Sequence, residues 1–439
     1  MCPQHLYIAD IYSLLPLSLL YLPAASDPIA PGWPFVILWN APTRPCLDSH
    51  GVMIDLETFD IVSNQNQSFM GTNAVIFYNT HLGLYPFYDH NYVPVNGGLP
   101  QNASLEEHLV KVHKDLKSAS VDKNFNGVAV VDWEHWRPLW NRNWKKKALY
   151  QLQSLEMISQ RHPLWSYRRI QRLAKRQFEA SAKDFMLSTL HLGRKLSPKG
   201  LWGFYGFPEC YNFEYKNGSQ NYTGQCPDDE VERNDALTWL WGISRALYPH
   251  IYLDTDLKDS EYVRLFVRHR VEEGFRVHKV SPGADLPVLP YARIVYTYSM
   301  DFLTQGDLVQ TIGQSAALGA TGVVLWGNAD YSSSKESCLA VRSYIEKTLG
   351  PYAKNVTTGA ILCSRTQCSN HGRCVRKYPE KDTHLHLDPT IFSIKQHPLG
   401  ESVVVLDNTS SKKLIRMWPQ FLCRCYKGWQ GSDCSHKRH

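Results

Sequence analysis

Two carboxylates two residues apart, Asp132 and Glu134, stand near the end of Gly127-Val-Ala-Val-Val-Asp132-Trp133-Glu134-His-Trp136-Arg137-Pro138. What such a pair can do depends on what holds it. Val128, Ala129, Val130 and Val131 form a short apolar, β-branched run that reads as a buried strand. Side chains alternate along a strand, so Asp132 and Glu134 share a face with Val128 and Val130 while Trp133 turns the other way. In a parallel barrel that face is the interior. The end of the strand is then the C-terminal mouth, where barrel enzymes keep their catalytic groups. Pro138 cannot continue a central strand, so the ladder ends close to it.

The spacing also constrains the reaction. At ~3.3 Å rise per residue the two carboxyls stand roughly 6–7 Å apart on one wall. Glycosidases that work with two carboxylates need them on opposite sides of the sugar. Two acids on one wall leave one of them to protonate a leaving oxygen, and the attack on the anomeric carbon falls to another group. An N-acetyl group carried by the substrate fits that role. Most D-x-E pairs in proteins are exposed and do nothing. This one ends an apolar strand and is hemmed by Trp133 and Trp136.

The elements that must position the pair recur along the chain. Strand-like segments are Phe35-Val-Ile-Leu38, Ala74-Val-Ile-Phe-Tyr78, Val128-Ala-Val-Val131, Leu201-Trp-Gly-Phe-Tyr205, His250-Ile-Tyr-Leu253, Arg293-Ile-Val-Tyr296 and Gly322-Val-Val-Leu-Trp326. Helical patterns fall between them. Ser104-Leu-Glu-Glu107 reads as a capping box, followed by Leu105, Leu109, Val112 and Leu116 on one face. Two long helical stretches between about 144 and 195 are broken near Pro163. Residues 235–247 and 308–318 are further candidates, the second stopped by Gly319. Residues 337–349 end at Gly350-Pro351, a normal helix stop. Alternation of strand and helix predicts an α/β chain with a parallel sheet and right-handed crossovers. The seven strands fit either a distorted barrel or a doubly wound open sheet.

Composition narrows the setting. The 439 residues are 43% hydrophobic and 20% charged, which is globular, and long enough for more than one domain. The net charge is +6, mild but suited to a polyanionic partner. No run of eighteen apolar residues follows the N-terminal region, so no membrane span is predicted. Leu14-Leu-Pro-Leu-Ser-Leu-Leu-Tyr-Leu22 followed by Ala24-Ala-Ser26 reads as a signal peptide over residues 1–26. Of eleven cysteines, one (Cys2) goes with that leader and leaves an even number. Sequons at Asn66, Asn102, Asn217, Asn221, Asn355 and Asn408 agree with passage through the secretory pathway, to the outside or to the lysosome. After Tyr352 the cysteines Cys363-x4-Cys368-x5-Cys374 and Cys423-x-Cys425-x8-Cys434 have the spacing of an EGF-like module with a long insert. Within that insert, residues 387–394 and 403–406 read as a strand pair or loop. The C-terminus has no hydrophobic tail of the lipid-anchor type. No metal cluster, phosphate loop or other cofactor motif is visible, and dispersed basic residues do not suggest nucleic acid. The clusters Lys145-Lys-Lys147 and Arg168-Arg169 read as solvated helix faces.

With these segments in hand, Val131-Asp-Trp-Glu-His-Trp-Arg-Pro138, Trp39-Asn40-Ala-Pro-Thr43, Gly203-Phe-Tyr205-Gly-Phe-Pro208 and Val324-Leu-Trp326-Gly327 resemble the animal and venom hyaluronidases. The resemblance runs from about residue 34 to 436 and is nearest to the acid-active lysosomal or secreted type. It implies a distorted TIM-like (β/α)7 barrel over 27–352 and a small disulfide-rich EGF-like module over 353–439. It implies the disulfides Cys46–Cys338, Cys210–Cys226, Cys363–Cys374, Cys368–Cys423 and Cys425–Cys434. The implied activity is endo-β-N-acetylhexosaminidase cleavage of β-1,4 bonds in hyaluronan, or in chondroitin (sulfate) as the alternative main substrate, by a monomer without cofactor. A glycan-binding or adhesion protein using the same groove without turnover is the reading from another class.

The resemblance assigns roles. Glu134 is the general acid/base, with its pKa expected to be raised by burial and by its neighbour Asp132. Asp132 orients and stabilises the attacking N-acetyl group, and the two acids titrate as a pair. Tyr205, Tyr252 and Trp326 contact the acetamido group. Asn40, Tyr78 and Tyr85 match a rim lining the sugar groove. Arg137 and Arg270 are cationic candidates for the substrate's carboxylates, Arg137 equally a brace for the catalytic acids. The chain departs from the family pattern at Thr297, where relatives carry an acid (Asp301 lies nearby), and at Phe213, where they carry a tyrosine.

Overall fold

A computed structural model describes residues 26–217, 221–280, 286–388, 392–396, 402–406 and 419–438. All but Ser26 of the expected leader lies outside these residues, as does the sequon at Asn408. Val36–Asn40 pairs in parallel with Gly322–Trp326 on one side and Ile61–Ser63 on the other, and Gly322–Trp326 pairs in turn with Tyr291–Ala292. Ala74–Tyr78, Val128–Asp132 and Leu201–Phe204 form a second parallel sheet.

The two sheets close into one barrel by different devices on the two sides. On one side, single parallel bridges Tyr205–Tyr248, Leu247–Val288 and His250–Tyr291 carry the ring from Leu201–Phe204 to Tyr291–Ala292. Pro249, Pro287 and Pro290 lie in these staves. With no N–H to donate they accept only, from Tyr291, Leu247 and Val324 respectively, so bridges replace full ladders. On the other side Asn64 stands in for a strand. Its Oδ1 accepts from the N–H groups of Asn73 and Ala74, and its Nδ2 donates to the carbonyl of Ala74 at 2.9 Å. The stave expected at Arg293–Tyr296 therefore sits two residues earlier, which puts Arg293 at the mouth. Ile61–Ser63 is an additional short strand.

Alternation along Val128–Asp132 sorts the core into layers. Val128 and Val130 join Val36, Leu38, Ile76, Tyr248, Leu289 and Val324 inside the barrel. Ala129, Val131 and Trp133 face an outer layer of helices. Gly203 is required where the staves crowd, because a Cβ there would stand 2.4 Å from the carbonyl of Ala246.

That outer layer contains Leu105–Ser118, Ala148–Arg161 and Tyr167–Leu196, the last two separated around Pro163 as the sequence predicts. Ser104 caps the first through Glu107 N–H. The helix expected over 235–247 is displaced to Asp228–Asp235 and Thr238–Ile243, since Leu247 is taken by the barrel.

On the opposite flank the helix beginning at Lys335 does not stop at Gly350-Pro351. A π turn over Ile345–Leu349, in which the Gly350 N–H reaches back to the carbonyl of Ile345, leads directly into Gly350–Gln367, and this widened turn lets the helix pass Pro351, which has no N–H to give. This helix carries Tyr352, Val356, Ala360 and Cys363 into one cluster with Cys368, Cys374, Cys423 and Cys434, and with Ile37 and Val323 of the barrel. The change in composition after Tyr352 thus falls inside a continuous helix. Cys46 is bonded to Cys338, Cys210 to Cys226, Cys363 to Cys374, Cys368 to Cys423 and Cys425 to Cys434. Gly372–Arg376 pairs with Phe421–Cys425, and in the insert Phe392–Gln396 pairs with Ser402–Leu406. Among the described residues no helix is long and apolar enough to cross a membrane.

Candidate active site

Asp132 is the last residue of its strand, level with Tyr78 on the neighbouring one. It is mostly buried, and its Oδ1 has no hydrogen-bond partner among the described residues. Burial, then the like charge of Glu134, push its pKa up to about 8 against the opposing pull of Arg137. Glu134, just past the strand, keeps 56% of its side chain exposed. The burial that the sequence assigned to Glu134 therefore acts on Asp132. The reason is local: Asp132 still belongs to the ladder and points into the barrel, whereas Glu134 has left it.

Aromatic side chains complete the floor. Trp326 Nε1 donates to the Tyr78 hydroxyl at 2.9 Å, and the Tyr252 ring stacks on Trp326 with centroids 6.1 Å apart. Tyr205 lies 6.1 Å from Tyr252, and their hydroxyls share a hydrogen bond. Burial raises the pKa of Tyr78, Tyr205 and Tyr252, and both carboxylates add to the rise at Tyr78 and Tyr205. All three are neutral phenols at any working pH. The same field shows that Asp132 and Glu134 act on one space.

The remaining candidates divide between groove and packing. Asn40 is buried and donates to the carbonyl of Phe69 at 3.0 Å, and the Phe69 ring stacks on Tyr78 at 6.0 Å. It holds the floor from behind. Tyr85 is 0% exposed, stacks on Trp133 at 4.6 Å and accepts from the Trp136 N–H, so it lies on the outer side of the strand beneath the carboxylates.

Arg137 is buried and gives Nη2 to Glu134 at 3.5 Å and Nε to Glu209 at 3.0 Å. Glu209 also pairs with Arg142, which pairs with Glu230 at 3.1 Å, and Glu230 with Arg233 at 2.8 Å. Arg270 is enclosed: it bonds Asn212 at 2.8 Å and His250 at 2.9 Å, with its guanidinium over the rings of Phe213 and Phe266. Phe213, one of the two departures, thus packs on Arg270. Thr297, the other, gives its N–H to Leu253.

Two cations escaped the sequence reading. Arg293 stands with its guanidinium 5.3 Å from the Trp326 ring centroid, and its Nε has no hydrogen-bond partner among the described residues. It was hidden by the two-residue error in the sixth stave. Lys147, taken for part of a solvated face, is half-buried and donates to the backbone carbonyl of Glu134, with its pKa pushed down to about 8 chiefly by burial. With Lys146, Tyr88, Asp89, His135 and Tyr150 it lines a groove of 570 Å³ that opens beside Glu134. Nothing in a run of three lysines told one from the others. Among the described residues no group of His, Cys, Asp and Glu is arranged to hold a metal.

A family model described as Hyaluronidase matches residues 24–438. The chain belongs to the hyaluronidase family. It is 46% identical to Hyaluronidase-1 of Bos taurus over 98% of this chain and 96% of the relative. It is 45% identical to Hyaluronidase-1 of Homo sapiens over 97% and 98%. Among solved structures, bee venom hyaluronidase in complex with a hyaluronic acid tetramer superposes with a TM-score of 0.67 at 32% identity, covering 72% of this chain and 98% of that one. The distorted barrel is thus the hyaluronidase fold, and the chain is a glycoside hydrolase.

Proposed function

We propose that this chain hydrolyses the β-1,4 bonds of hyaluronan internally and with retention, the substrate's own N-acetyl group making the displacement. One observation carries the reading. A buried carboxyl oxygen, Asp132 Oδ1, lacks a partner at the bottom of an aromatic box, while the second carboxylate of the pair is open to the groove. A lone polar atom in such a place costs free energy until a partner arrives. The N–H of an acetamido group is such a partner. Once it is held there, the carbonyl oxygen of the same group is turned toward the anomeric carbon, with Tyr252 and Trp326 enclosing it.

Glu134 then gives its proton to the glycosidic oxygen as the acetamido oxygen attacks C1, and the leaving chain departs. Asp132, protonated in the free protein, passes its proton to Glu134 as the acetamido N–H and the developing positive charge arrive, and then stabilises that charge on the cyclic intermediate. Glu134, now ionised, takes a proton from water as that water opens the ring, and two inversions leave the configuration retained. Arg137 steadies Glu134 and is itself fixed by Glu209, so its role in this scheme is that of a brace. Arg293 and the lysines of the groove are placed to meet carboxylates of the polymer.

The bee venom relative's hyaluronic acid complex supports hyaluronan as the ligand. Five disulfides support passage through the secretory pathway, after removal of residues 1–26, to the exterior or the lysosome. We extend the proposal to a monomer with a barrel over 27–352, an EGF-like module over 353–439, and chondroitin as a second substrate. A zymogram on hyaluronan from pH 3.5 to 9 tests the reading. Chains should shorten at acidic pH, with N-acetylglucosamine at the new reducing ends. Tight binding with no shortening at any pH would overturn the enzymatic reading in favour of a non-catalytic glycan-binding protein.

A further inference from the structure

The helix Tyr167–Leu196 holds eight Lys and Arg and two acids, a surplus equal to the +6 of the entire chain. Its apolar side, including Ile170, Ala174, Phe178 and Ala182, is buried against the outer core. Arg168, Arg169, Arg172, Lys175 and Arg176 are all exposed. At 100° per residue these five fall within one third of the helix circumference. Glu179, the acid on that arc, is drawn away, its Oε1 accepting the Trp140 N–H at 2.9 Å. Among the described residues none of the five has a carboxylate within ion-pair distance. Arg169 instead covers the Trp165 ring at 3.7 Å, and Trp165 stacks on His162 at 3.8 Å.

A helix face kept only for solubility usually mixes signs, because like charges three and four residues apart repel. We propose that this face is a second site for the polymer, holding a stretch of hyaluronan outside the catalytic groove. The inference rests on the function proposed above for the substrate's identity. Hyaluronan repeats a carboxylate once per disaccharide, and guanidinium groups grip carboxylates through paired hydrogen bonds. From Arg168 to Arg176 the row spans about 12 Å along the axis, so it follows a linear chain rather than enclosing a small anion. Contacts at an exposed face are individually weak. On a long polymer already engaged at the groove they act at a high effective concentration, which favours long chains over short ones. An anionic membrane is a poorer match, since the apolar stripe of the helix is in the core and only Tyr167, with Leu164 just before it, is left exposed to insert.

The test replaces all five cations by glutamine in the full chain (R168Q/R169Q/R172Q/K175Q/R176Q). On long hyaluronan at low salt KM should rise roughly tenfold with kcat unchanged. On an octasaccharide, filling the groove alone, kcat/KM should stay within about twofold. The long-chain advantage of the unsubstituted protein should fade as salt screens the row. An unchanged KM on long chains, or equal losses on both substrates, would overturn the proposal. Binding of labelled long hyaluronan in a Glu134→Gln background separates the two readings. If the unsubstituted protein cuts nothing but the five substitutions still weaken binding about tenfold, the catalytic reading fails and this one stands. Binding that is equal with and without them, or a loss seen only for anionic vesicles, sinks it.

Discussion

The floor of the barrel mouth and its rim are held by opposite means. On the floor, Tyr78, Tyr205, Tyr252 and Trp326 are held by packing and by hydrogen bonds among themselves, and Asp132 by its place in the ladder, each of them only partly exposed. On the rim, Glu134 is open to the groove. It is steadied by Arg137, behind which a chain of ion pairs runs through Glu209, Arg142 and Glu230. The difference suits two tasks. A group that stabilises charge developing in the substrate works best where the dielectric is low and the geometry preset. A group that must pick up and release a proton in every turnover has to reach water. In the mechanism proposed above, one D-x-E step on a strand serves both, because its first acid lies inside the ladder and its second beyond it.

Substituting the rim acid should have the largest effect. Glu134→Gln removes the proton donor and should lower kcat by about 10³-fold, with hyaluronan binding largely kept and the fold intact by circular dichroism. Retained cleavage would remove Glu134 from the mechanism. The floor acid should show a double signature. Asp132→Asn should lower kcat by about 10²-fold or more. It should also change how stability depends on pH. The folded-state pKa of Asp132 lies above its unfolded value, so its protonated form is favoured by folding. That contribution is present below about pH 4 and is lost as pH rises through about 8. The variant's melting temperature relative to wild type should therefore climb between those limits. A constant difference would mean that Asp132 is not buried as described. Third, Glu209→Gln leaves Arg137 and Arg142 short of an anion in a buried network and should cost about 3 kcal/mol of stability. Its kcat should fall by only about tenfold, since Glu134 keeps its place in the chain. A loss as large as that of Glu134→Gln would show the rim to depend on its network as much as the floor depends on packing.

Legibility in the sequence followed the range of the interactions. The strand, its two acids, the opposite orientation of Trp133 and the helix break near Pro163 depend on alternation and local backbone chemistry, and the primary structure shows them directly. The stave at Tyr291–Ala292 was misplaced because Arg293-Ile-Val-Tyr296 looks more strand-like than a segment holding Pro287 and Pro290. Barrel closure, a nonlocal demand, overrode that propensity. The helix passing through Gly350-Pro351 was missed for a related reason: a π turn and a shared core make continuation cheaper than the stop that the dipeptide signals.

By itself, then, the sequence determined which residue types stand at the strand end and that one wall carries both carboxylates. Those facts follow from covalent spacing and pleat. Only the tertiary structure decided which carboxylate is buried, which arginines are braces, that Tyr85 lies beneath the floor, and that Lys147 reaches the groove. Burial and charge pairing are set by neighbours distant in the chain, and no local pattern encodes them.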